Sequence, residues 1–246
     1  VKDTEGIQKL YYSENVYRAR KGGNEFKEIM QTGLECMGDI DQYSVGEVLM
    51  LAAKSLEEIS DNYIIDISHT GFVSELFKDI SEDKREILLS FVNAKNPVGI
   101  KRACAKFGLG VSLTDKAVKL ASLYGSFEDV IGELRKLSIN NKTDEVIDEL
   151  EGIYRMLKIY GCGKNINIDF SIINNMSYYN GIVFKGYVAG IPTNILSGGR
   201  YDKLLHKLGK NAGAIGFALY LDMLDMLNIE DDEYDADVLL LYDKTV

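Results

Sequence analysis

Three short stretches of this 246-residue chain carry side chains whose types and spacing could do chemistry. In Gln31-Thr32-Gly33-Leu34-Glu35, strand geometry would turn Gln31, Gly33 and Glu35 to one face. An amide and a carboxylate then flank a residue with no side chain. That leaves room for a small ligand and offers acceptors to an ammonium or imidazole N–H. A plain exposed sheet face is the competing reading. In Ser197-Gly198-Gly199-Arg200-Tyr201-Asp202, paired glycines let backbone N–H groups approach a ligand, and Arg200 can fork to a carboxylate. The same letters also suit a tight turn leading into a helix through Leu204 and Leu205. Tyr178-Tyr179, on a strand expected from Tyr178 to Val188, sends one ring into packing and the other toward a pocket, or both into the core.

Other chemistries lack their residues. The sequence has no phosphate-cradling G-x-x-x-x-G-K-[ST], no G-x-S-x-G elbow and no H-E-x-x-H. His69 and His206 are the only histidines, which argues against a His-rich metal centre; His206 reads as an ordinary surface or core residue. Cys36, Cys104 and Cys162 lie far apart with no CxxC, as suits a reducing cytoplasm rather than a disulfide framework. With 28 basic and 38 acidic residues the net charge is −10, which argues against a nucleic-acid surface. No apolar run reaches the roughly 18 residues of a membrane span. Apolar residues at 46% and charged residues at 27% are ordinary for a globular core.

The elements that must position these groups follow from periodicity. Leu10–Arg18 and Phe26–Met37 read as strands joined by the basic turn Arg20-Lys21-Gly22-Gly23-Asn24. Ser44-Val45-Gly46-Glu47 reads as a capping box opening a helix, and Tyr63–Ile67 as a short strand. From Gly71 to Tyr160 the period is helical: Asn96-Pro97 starts a helix that Gly108 stops, Thr114 and Ser126 suit N-caps, and Thr143 caps a long amphipathic helix. Strands return at Ile166–Ile172, Tyr178–Val188 and Thr193–Leu196, and Ala214–Leu227 begins as a strand and ends as a helix. The pattern predicts an α/β (α+β) fold, an antiparallel sheet flanked by helices with an all-helical insertion over about 73–161. The core is expected over 1–228. An acidic linker and the start of a further α/β domain are expected over 229–246, with both chain ends cut from a longer protein.

Taken together, these segments resemble histidyl-tRNA synthetase, a class II synthetase. Tyr11–Arg18, the loop and Gln31–Glu35 are similar to its motif 2, and Asn175–Phe184 to its histidine-binding strand. Ser197–Asp202 is similar to its glycine-rich loop and Ala214–Ala218 to the start of its motif 3. The resemblance implies a histidine pocket of Gln31, Glu35, Tyr178, Tyr179, Arg200 and Tyr201, with Arg18 as a phosphate-binding remnant. It also marks departures. Asn174 stands where the family has an activating Arg and Ser177 where it has an acid. Tyr220 and Met223 replace a small Gly and an ATP-contacting Arg, and Ala19-Arg20 replaces an acidic residue for adenine.

A kept amino-acid pocket without activation machinery is similar to the synthetase paralogues that serve as regulatory subunits of ATP phosphoribosyltransferase. That likeness implies a non-enzyme with no cofactor and no metal, which activates a short-form catalytic subunit and conveys histidine feedback in the first step of histidine biosynthesis. It further implies a cytoplasmic homodimer within a hetero-oligomer, with no membrane or nucleic-acid partner. The alternatives are a divergent synthetase core that makes histidyl-adenylate, or a pseudo-synthetase module regulating another partner.

Overall fold

The computed structural model describes residues 6–19, 26–173, 176 and 178–227. Among them, eight strands make one sheet in the order β1-β2-β8-β7-β6-β3-β5-β4. Strands β1 (Gln8–Ala19) and β2 (Phe26–Gly38) form a long antiparallel ribbon. Strand β2 pairs with β8 (Gly213–Tyr220) only from Gln31 onward, so the outer end of the ribbon extends beyond the sheet. Strands β7 (Leu196–Arg200), β6 (Ile182–Val188) and β3 (Tyr63–His69) continue the antiparallel order. Strand β5 (Ile166–Asp169) then pairs parallel to β3.

The two faces of this sheet differ in chemistry because successive side chains point opposite ways. One face carries Ile65, Ile67, Phe184, Leu196 and Phe217, all buried. Helix α1 (Gln42–Glu57) packs against it, with Leu56 seated on Gly186: a Cβ there would stand 2.5 Å from its Cδ1. The other face is polar. The register sets Gly33, Ala218, Ser197, Lys185, Asp66 and Asn167 along one line across it.

Between β3 and β5 the chain forms α2 (Thr70–Leu76), α3 (Glu82–Asn93), α4 (Pro97–Phe107), α5 (Val111–Ser122), α6 (Phe127–Lys136) and α7 (Asn141–Ile159). The expected Asn96-Pro97 start and Gly108 stop are present: Asn96 Oδ1 accepts from Gly99 N at 2.8 Å, and Gly108 is left-handed at φ 70°. Other caps differ from expectation. Asp41, rather than Ser44, opens α1 by accepting from Ser44 N at 2.7 Å, because its short carboxylate reaches the free amides of the first turn. Asn140 opens α7, with Thr143 as the reciprocal partner of its capping box. Gly110, not Thr114, precedes α5, whereas Ser126 caps α6 as expected. Helix α7 crosses α1 where Gly46 meets Met156. His69 ties it to β3, with Nε2 3.4 Å from Glu149 and Nδ1 accepting from Gly71 N.

Five stretches correct the sequence reading. The insertion is not wholly helical: β4 (Tyr124–Ser126) pairs antiparallel with β5 at the edge of the sheet. Three residues are too few to show a period of two. The strand from Ile166 stops at Asp169, whose carboxylate accepts from Ser171 N at 2.8 Å and turns the chain into the 3₁₀ segment Phe170–Ile172. The strand expected from Tyr178 begins only at Ile182. The glycine-rich segment is not a turn but the central strand β7, followed by α8 (Asp202–Lys207). After Tyr220 the helical continuation is 3₁₀, Leu221–Met226. The linker and further strand expected over 229–246 lie outside the described residues.

Candidate functional site

Glu35 sits opposite Gly216 on β8, and Gly216 sits opposite Gly199 on β7. This row gives the polar face a floor without side chains. The glycines are required by close approach. A Cβ on Gly199 would stand 2.7 Å from the Tyr179 ring and 2.8 Å from Ile182 O, and one on Gly216 would overlap the Glu35 carboxylate.

Aromatic rings wall the floor. Tyr178 meets Tyr179 edge-on at 4.7 Å and stacks on Tyr201 at 5.4 Å and 21°. The buried Tyr201 donates its hydroxyl to Glu35 Oε2. Burial pushes the Glu35 carboxyl above the usual range, and the Tyr201 hydrogen bond offsets part of that rise. Burial, reinforced by Glu35, also pushes the Tyr201 hydroxyl far up, so it stays a neutral donor at physiological pH. Tyr178 and Tyr179 are likewise raised by burial.

Gln31 is 7% exposed. Its amide donates to the Tyr12 hydroxyl and accepts from Arg18 Nη2 at 3.2 Å. Sequence reading left Tyr12 out, although its position opposite Gly33 on the paired strand was the available signal. A Cβ on Gly33 would come 2.6 Å from the Tyr12 hydroxyl, so the space over this glycine is filled by a protein ring rather than kept for a ligand.

Arg200 holds the glycine-rich segment to the start of α8 instead of facing Glu35. Strand alternation puts Gly199 on the site face and Arg200 on the other. There its Nε donates to Asp202 Oδ1 and Oδ2 at 3.1 and 2.8 Å. Asp202 also takes Asn180 Nδ2 at 3.1 Å and Ala214 N at 2.9 Å. Arg200 therefore fastens the start of α8 to the loop before β6 and does not close the pocket beside Tyr201. With Asp39, Asn211 and the exposed His206 it borders a separate cavity of about 440 Å³.

Asn174 and Ser177 lie outside the described residues. Tyr220, opposite Gln31, shares a hydrogen bond of 2.8 Å with Ser197 and carries the Arg18 guanidinium 5.6 Å from its ring centroid. Met223 packs against the edge of the core. Cys36, Cys104 and Cys162 are free and buried. Among the described residues, no group of three or more His, Cys, Asp or Glu could hold a metal ion, and no helix is long and apolar enough to cross a membrane. The arrangement can take a small polar molecule through a carboxylate, an amide and tyrosine hydroxyls, held between aromatic rings.

A mostly antiparallel sheet in this order, with a long two-stranded ribbon at one side and helices packed on it, is the fold of a class II synthetase-like protein. The histidyl-tRNA synthetase family model matches residues 1–224, and the chain belongs to that family. Within it, the chain is similar to proteins named ATP phosphoribosyltransferase regulatory subunit. The one from Acetivibrio thermocellus is 29% identical over 98% of this chain and 60% of its own length. A solved ATP phosphoribosyltransferase regulatory subunit/histidyl-tRNA synthetase from Bacillus halodurans superposes with a TM-score of 0.80 at 33% identity, covering 89% of this chain and 58% of that one. An ATP phosphoribosyl transferase complex from Thermotoga maritima shares the fold, at a TM-score of 0.73 and 21% identity over 89% of this chain and 75% of that one. The chain thus spans about three-fifths of the length of the curated relatives it matches.

Proposed function

We propose that this chain is the synthetase-like part of a non-catalytic regulatory subunit of ATP phosphoribosyltransferase. It binds free histidine on the glycine floor and passes that signal to a short-form catalytic subunit in the first step of histidine biosynthesis. The names of its relatives support the regulatory role, and the Thermotoga maritima complex supports a catalytic partner. We infer further that this chain works in the cytoplasm as a homodimer within that hetero-oligomer. The observation that carries the ligand is Glu35, half-buried under Tyr201 and flanked by Gln31. Its carboxylate suits an ammonium or imidazole N–H, and the stacked rings of Tyr178 and Tyr201 suit the flat face of imidazole.

Adenylate synthesis does not fit this site. Asn174, Ser177 and Met223 supply none of the charges the family resemblance expects. Tyr220 occupies the position of a small residue, and a missing cation beside developing phosphate charge costs orders of magnitude in rate.

The test uses the subunit at the full length of its relatives, reconstituted with the catalytic partner. Calorimetry should show histidine binding, and Glu35→Ala should weaken it about tenfold or more while leaving assembly intact. Feedback should weaken in parallel, because a ligand shifts its partner only through differential affinity, of about 1–3 kcal/mol. Histidine inhibition unchanged in Glu35→Ala would refute the sensor. Histidine-dependent ATP–pyrophosphate exchange above a no-protein control would refute the non-catalytic reading, and Asn174→Arg alone should not create it.

A further inference from the structure

On the same polar face, beyond β6, lies a second group of charges that the histidine site does not use. Asp66 on β3 is 5% exposed and Asp169 on β5 is 4% exposed. Both carboxylates lie where the helical insertion meets the sheet: α3 and α5 pack on the 3₁₀ turn that follows Asp169. From the turn between α3 and α4, Lys95 reaches Asp169 Oδ2 at 2.8 Å, its ammonium 4.3 Å from the centroid of the Tyr124 ring on β4. Lys95 is also the non-glycine residue with positive φ among the described residues, at 46°. Left-handed backbone is strained for a lysine as it would not be for a glycine. A residue held in that conformation has its side chain aimed by it, and here the aim is into the carboxylates.

Asp66 faces charge from every neighbouring element. Asp169 stands on β5, Lys95 comes from the α3–α4 turn, Lys185 and Tyr187 line β6, and Tyr124 lies on β4. Asn167, opposite Asp66 on β5, donates its amide to the Tyr124 hydroxyl at 3.2 Å, and Asp66 Oδ1 has no hydrogen-bond partner among the described residues. A buried carboxylate beside another, with one oxygen unsatisfied, favours its neutral form.

We propose that Lys95, Asp169 and Asp66 form a proton-sensitive clamp that holds the insertion on the sheet more tightly in mild acid than in mild alkali. Protonation of Asp66 removes its repulsion of Asp169 and leaves the Lys95–Asp169 pair intact. Ionisation of Asp66 places a second buried negative charge behind that pair and favours opening. The Asp66 carboxyl is pushed up to about 6, by burial first and by Asp169 second, which puts the transition close to physiological pH.

Amide hydrogen exchange on the full chain, corrected for intrinsic rates, tests this. Peptides covering 82–126 and 163–172 should open about tenfold less often at pH 5 than at pH 8, with opening rising from about pH 4 and levelling off above about 6, while β1–β2 peptides show no such rise. Asp66→Asn should be flat with pH and as protected at pH 8 as the wild type is at pH 5. Lys95→Met should lose protection at both pH values. A wild-type profile flat within twofold, or the same step retained in Asp66→Asn, overturns the clamp. If Asp66→Asn fails to fold by circular dichroism, the wild-type step and its confinement to those peptides decide the matter.

Discussion

The two ends of the polar face hold buried carboxylates by different means. At the glycine-floored end, Glu35 is satisfied by the neutral hydroxyl of Tyr201, and the residues across from it are Gly216 and Gly199. At the β3–β5 end, Asp66 and Asp169 have Lys95, Lys185, Tyr124 and Tyr187 around them. A carboxylate paired with a neutral donor keeps a net charge and leaves its remaining acceptor capacity for an incoming cation or N–H. The Asp169 carboxylate is matched by Lys95, and Asp66 behind it relieves its burial by taking a proton rather than by attracting a ligand. The same residue type on one sheet face thus makes a receptor at one end and a fastening at the other.

The sharpest way to break this contrast is to fill the floor. Gly216→Val would push a branched side chain into the Glu35 carboxylate and the Leu34 carbonyl. A stability loss of about 3 kcal/mol or more is expected in denaturant unfolding, with ligand binding abolished. A smaller effect of opposite sign is expected at the other end. The folded pKa of Asp66 is raised, so its contribution is full below the ordinary carboxylate value and is lost as pH rises through about 6. Asp66→Asn should therefore stabilise the protein by about 2 kcal/mol at pH 8 and by almost nothing at pH 4, as unfolding midpoints at the two pH values would show. Tyr201→Phe removes the donor to Glu35 and should cost about 1 kcal/mol at neutral pH. It should also steepen the fall of stability as pH rises from the acid range, since the Glu35 carboxyl goes up further. Lys27→Ala breaks the exposed Lys27–Asp222 pair of 2.6 Å, away from both ends, and should change stability by less than about 0.5 kcal/mol.

Period-two alternation was enough to put Gln31 and Glu35 on one face, and local cap chemistry was enough to bound α4. The side of the sheet that Arg200 takes was hidden because Gly198 and Gly199 have no β-propensity to betray a central strand, although their bareness is imposed by Phe184 and Gly216 from neighbouring strands and by Tyr179 from the loop before β6. Tyr12 was missed for a related reason: its relation to Gln31 exists only through the β1–β2 register. Asp66 and Asp169 stand far apart in sequence, and nothing local to either announces the other. What was legible depended on neighbours within a turn or a strand; what was not depended on strand pairing.

The parallel pairing of β3 with β5 has a consequence for the order of assembly. Ile65 and Ile166 meet across a closed loop of about a hundred residues, whereas the β1–β2 ribbon closes a loop of only a few. Closing the longer loop costs about 2 kcal/mol more entropy before any contact repays it, with the excess growing as the logarithm of loop length. Ribbon formation belongs to the microsecond events of folding, while the β3–β5 pair waits until the helices between them have shortened the gap. The glycine floor is only half local: β7 and β8 are near neighbours in sequence, but the β2–β8 pairing that lays Glu35 beside Gly216 closes a loop of about 180 residues. Both ends of the polar face therefore close after the ribbon, once the helices between their strands have formed.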